Sequence, residues 1–73
     1  MARKVFHVVP NGDYWAVKHD SKILTNHHTK ENAIEKGRAY ALANQPSQLV
    51  VHRADGTIEY EYTYGNDPFP PRG

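Results

Sequence analysis

Seventy-three residues are enough for one small domain and leave no room for a second. Nine Lys and Arg against eight Asp and Glu leave a formal net charge of +1. That balance excludes both a heavily basic nucleic-acid coat and an acidic disordered chain. There is no cysteine, hence no disulfide, no thiolate zinc site and no Cys nucleophile, and no apolar run approaches membrane-spanning length. A cytoplasmic protein that does not enter a membrane is the expectation. One Trp, five Tyr and two Phe can build a core, but a chain this short buries only about 60% of its unfolded surface, so that core is thin.

In chain order, Asn11-Gly12 supplies the residues of a two-residue type I′ turn. The turn predicts a hairpin pairing Val8 with Trp15 and Phe6 with Val17, all four on one face. The other face carries Val5, His7, Val9, Tyr14, Ala16 and Lys18. After a turn at Asp20-Ser21, Lys22 to His28 has the composition of a short third strand. Thr29 is the predicted N-cap of a helix from Lys30 to about Asn44, with Glu31 favourable in its first turn. Ala33, Ile34, Gly37, Tyr40 and Ala41 form its apolar stripe, while Leu42 stands off that stripe. Gly37 costs about 1 kcal/mol against Ala in a helix interior, which marks a place where helix and sheet approach closely. Pro46 ends the helix, since it disfavours helical geometry at the preceding residue.

A second hairpin turns at Asp55-Gly56 and sets Val51 opposite Tyr60 and Leu49 opposite Tyr62, with Ile58 joining that apolar face beside Arg53. His52 opposite Glu59 and Val50 opposite Glu61 read as its solvent side. The predicted class is α+β: two β-hairpins flanking one α-helix, an antiparallel sheet with the helix on one face. Residues 1–64 form the domain, and 65–73 an extended Pro-rich C-terminal tail that Phe69 can dock on it.

Four stretches together resemble a known family. They are His7-Val8-Val9-Pro10 leading to Trp15-Ala16-Val17-Lys18, Thr29 with Ala33-Ile34, Leu49-Val50-Val51-His52 with Asp55-Gly56-Thr57-Ile58, and Tyr64-Gly65-Asn66-Asp67-Pro68-Phe69-Pro70-Pro71. In combination the chain resembles the domain-of-unknown-function family 2188 of small bacterial proteins. Asn32 departs from the Glu that would complete a capping box. The resemblance implies a compact bacterial module and carries no activity.

The residues that carry chemistry are sparse. The histidines His7, His19, His27, His28 and His52 show no zinc-ligand spacing and read as solvated or ordinarily hydrogen-bonded groups. Asp13 and Asp55 sit in turns, Glu59 and Glu61 on a wet strand face, and no nucleophile–base–acid set assembles at plausible spacing. The expectation is therefore no enzyme, no cofactor and no metal. Tyr60, Tyr62 and Tyr64 share one strand face and read mainly as a roof over the small helix residues, with Tyr64 the one left exposed. The predicted function is a non-catalytic interaction module that associates with itself as a homodimer through Val5, Val9, Leu42 and Val50. Candidate contacts for a macromolecular partner, such as an unknown protein, are Tyr14, Lys18, Lys22, Arg38, Arg53, Tyr64, Phe69 and Arg72. The alternative is weak, salt-sensitive nucleic-acid binding by the Lys18/Lys22 edge and the Tyr60–Tyr64 strand.

Overall fold

A computed structural model of the chain describes residues 3–65. Phe69 and Arg72 lie outside the described residues. The elements run β1 (Lys4–Asn11), β2 (Tyr14–His19), β3 (Lys22–His27), α1 (Lys30–Ala43), β4 (Ser47–His52) and β5 (Ile58–Tyr64). The five strands form one sheet in the order β3-β2-β1-β4-β5. The α+β class holds, but the sheet is mixed: β1 and β4 pair in parallel at its centre. The reason is directional. β3 runs parallel to β1, the helix carries the chain back, and β4 must then start where β1 starts, beside Lys4.

Both turns of the β1–β2–β3 meander are two-residue loops. The first consists of Gly12-Asp13, not Asn11-Gly12, so Val8 faces Val17, Phe6 faces His19 and Pro10 faces Trp15. Gly12 has φ 62, and one positive-φ residue at the first central position satisfies a type II′ turn, so Asn11 stays in the strand opposite Tyr14. The predicted register is displaced by two residues, an even step that leaves every side chain on its predicted face. In the second loop Asp20 and Ser21 both adopt positive φ, 52 and 68.

The second hairpin pairs Leu49 with Tyr62, Val50 with Glu61 and Val51 with Tyr60, as read from the sequence. A bulge after Val51 then sets His52 opposite Ile58 rather than Glu59. That extra residue turns Ile58 away from the helix side, where the sequence reading had it, and leaves it 50% exposed. Asp55 caps the loop by accepting from the backbone N–H and the hydroxyl of Thr57.

The Thr29 hydroxyl accepts from the Asn32 N–H at 3.1 Å and so caps the helix. Ala33, Gly37 and Ala41 lie against the sheet, over Phe6, Val8, Val17, Leu49 and Val51. A Cβ on Gly37 would stand 2.9 Å from Leu49 Cδ1 and 3.2 Å from Val8 Cγ2, the close approach the glycine foretold. Trp15, Ile34, Tyr40, Tyr60 and Tyr64 close the margins of this core. The buried Ser47 hydroxyl donates to the Ala41 carbonyl at 2.5 Å. All the helix packing is on one face; the opposite face of the sheet carries no element among the described residues.

Candidate functional site

Strand pairing assembles one row across the uncovered face: Lys18 of β2 opposite His7 of β1, His7 opposite Val50 of β4, and Val50 opposite Glu61 of β5. The row has a cation at one end and a carboxylate at the other. Gln48 donates to Glu61 and so orients that carboxylate. Beside the row lie half-buried Val5 and Val9, and exposed Ile23 and Ile58, which pair with Lys18 and His52. Val5, His7, Val9, Lys18, Asp20 and Ser21 line a shallow, open depression of about 410 Å³.

At the centre His7 Nδ1 lies 3.0 Å from His52 Nε2. His52 Nδ1 is 2.9 Å from the Gly56 carbonyl, which can only accept, so His52 carries its proton on Nδ1. Neutral His52 thus offers the lone pair of Nε2, and His7 donates through Nδ1–H. Burial, the neighbouring His52 and the Lys18 charge hold the His7 pKa below its ordinary value of 6.5, and Glu61 opposes them. Two nitrogens do not complete a metal site, and no group of three His, Cys, Asp or Glu side chains converges among the described residues.

The residues singled out from the sequence are scattered over this frame. Val5, Val9 and Val50 share the open face, but Val50 is already buried at 4% exposure and adds no free surface. Leu42 is exposed on the helix, across the sheet from them, so one two-fold contact cannot join all four. Lys18 and Lys22 do not form one edge patch, because Lys22 pairs with His19 on the helix side while Lys18 pairs with His7 on the open side. Arg53 donates to the Thr57 hydroxyl and the Ile58 carbonyl and braces its own loop. Tyr14 lies at the sheet end against the His28 ring, with centroids 5.1 Å apart. Arg38 is exposed on the helix.

Tyr60, Tyr62 and Tyr64 do line the helix side of β5, with neighbouring ring centroids 5.3 and 6.3 Å apart. Tyr62, not Tyr64, is the exposed member, at 55%. Tyr60 and Tyr64 pack against the core, whereas Tyr62 projects from an edge strand beyond the main helix contacts. The pairing of His7 with His52 escaped the sequence reading, because it depends on β1 and β4 being neighbours. The only local sign was a histidine inside each of two apolar strands.

Residues 6–64 match the family described as "Uncharacterized protein conserved in bacteria (DUF2188)". The chain belongs to this family. The match to DUF2188 begins at the first core residue of β1 and ends with β5, so it covers the helix and all of the sheet but Lys4 and Val5. No curated protein and no solved structure matches the chain. No helix among the described residues is long and apolar enough to cross a membrane.

Proposed function

We propose that this DUF2188 protein is a non-catalytic cytoplasmic interaction module that pairs with a second copy through the open face of its sheet. The observation that carries this reading is the polarity of the Lys18–His7–Val50–Glu61 row. Consider a two-fold axis in the interface plane, running along the strands at the β1/β4 boundary. It lays β2 over the partner copy's β5 and β1 over the partner copy's β4, at unchanged height along the strands. Lys18 then meets the partner's Glu61, and His7 meets the partner's Val50. One row down, Ala16 lies over the partner's Ile58 and Val9 over the partner's His52. An axis across the strands would instead set Lys18 over the partner's Lys18. The charges therefore select one packing, the aligned face-to-face arrangement of a β-sandwich with sheets about 10 Å apart.

A charge-swap series measured by sedimentation equilibrium tests it. The parent chain should associate reversibly, Lys18→Glu and Glu61→Lys should each weaken association about tenfold or more, and the double swap should recover most of the loss. A mass of one chain at every concentration overturns the reading. Nucleic-acid binding has less support, since its two lysines face opposite ways; any affinity should be weak and fall steeply with salt.

A further inference from the structure

The contact between His7 and His52 has the spacing of half a metal site. His7 Nδ1 and His52 Nε2 are 3.0 Å apart. Two nitrogens bound to one tetrahedral zinc ion at about 2.0–2.1 Å lie about 3.3 Å apart, so the pair must open only slightly. His52 is already set for the task. Its Nδ1–H donates to the Gly56 carbonyl, which fixes the ring and aims the Nε2 lone pair at the gap. A backbone carbonyl on the far nitrogen is a common support of a metal-ligating histidine. Both rings are half-buried on the open face, so neither must leave the core to reach an ion.

The place of the pair matters as much as its spacing. His7 stands on β1 level with Val50 of β4, two residues before His52, so the contact runs obliquely across the β1/β4 boundary. The two-fold axis of the proposed dimer runs along that same boundary. An axis over the middle of the contact brings the partner copy's pair over the same point. The rotation reverses the slant, so the two pairs cross instead of lying parallel. Crossed pairs of ligands are the arrangement a tetrahedral ion takes. With the sheets about 10 Å apart, imidazoles standing on both faces meet near the midplane.

We propose that one zinc ion binds on this axis, held by His7 and His52 of one chain and by the partner's His7 and the partner's His52. The site rests on the self-association reading, because one chain supplies two ligands and no third converges on them among the described residues. Neutral imidazole is a good ligand for zinc, and four protein ligands with no open position make a structural site. On binding, His7 gives up its Nδ1 proton and carries one on Nε2, so the neutral ring turns the Nδ1 lone pair to the ion. The charged groups around the pair are Lys18 on β2 and Glu61 on β5, in the His7 row, and Asp20 in the β2–β3 loop. Lys18 opposes a cation here, and its contact with the partner's Glu61 offsets that. Metal held by two chains stabilises their association by mass action.

Zinc chloride added to the untagged, chelator-treated full chain tests this. Isothermal titration should give one ion per two chains, and sedimentation equilibrium should show association about tenfold tighter or more with zinc than with EDTA. Cobalt(II) in place of zinc should give the intense visible bands of a tetrahedral site. Zinc affinity should fall between about pH 7.5 and about pH 6, since a protonated imidazole has no lone pair to offer. His7→Ala and His52→Ala should each abolish the zinc effect, with circular dichroism reporting the fold. His28→Ala, at an exposed ring outside the row, should keep it. In the parent chain, where folding is not in question, one ion per chain or no binding overturns the site. Association that persists in EDTA, weakens with Lys18→Glu and ignores zinc overturns it too, and leaves the charge-row dimer standing. A mass of one chain with and without zinc removes both.

Discussion

His7 and His52 point one nitrogen each at the same gap, 3.0 Å wide, and only one proton fits in it. Either ring alone can be charged with the bond intact; charging both sets two N–H groups against each other. Burial first, then His52 and Lys18, favour the neutral form of His7 over its value in the unfolded chain. The folded state therefore binds fewer protons here than the unfolded one. This contribution to stability is complete above the unfolded value of 6.5 and is lost as pH falls through the lower folded value. Urea unfolding from about pH 7 to about pH 5 should show falling stability, and His7→Gln should flatten that slope. A slope unchanged in the variant would place the titrating group elsewhere.

Gly37→Ala should destabilise the protein although alanine is the better helix former. The added methyl group meets Leu49 Cδ1 at 2.9 Å inside a core where Leu49 is fully buried. Overpacking of this kind costs about 1–3 kcal/mol and outweighs the roughly 1 kcal/mol of propensity gained. Pairing it with Leu49→Val should recover part of the loss, as read by denaturant midpoints.

Trp15→Ala should cost about 3 kcal/mol, a large fraction of the stability of so small a domain. The indole is half-buried at the core margin, and Lys30 Nζ lies 5.3 Å from its ring centroid. The same Lys30 is ion-paired with Glu59, which ties the first turn of the helix to β5. Circular dichroism during chemical denaturation measures the loss, and a variant as stable as the parent would contradict the packing described.

Ser21→Gly should stabilise the chain by up to about 1 kcal/mol. Ser21 holds φ 68 in the β2–β3 loop, a left-handed geometry that is unfavourable for a residue with a Cβ and free for glycine. Thermal unfolding should show a raised midpoint with an unchanged spectrum.

Features governed by near neighbours were legible from residue order alone. Thr29 caps its helix because a hydroxyl reaches the N–H three residues on. Gly37 marks the closest helix–sheet contact because no side chain fits there. Side-chain parity put Phe6, Val8, Trp15 and Val17 on one face, even though the turn lies one residue later than Asn11-Gly12 suggests. Period-two alternation survives a displacement by two. It does not survive the one-residue bulge after Val51, which moved Ile58 to the other face. The parallel pairing of β1 with β4 has no local signal, since it is decided by where a whole helix returns the chain and which strands bury most surface together. The His7–His52 bond and the Lys18-to-Glu61 row depend on that pairing. Apart from Ile58 beyond the bulge, residue order determined which residues face each way along the strands; the tertiary structure alone decided which strands, and therefore which charges, became neighbours.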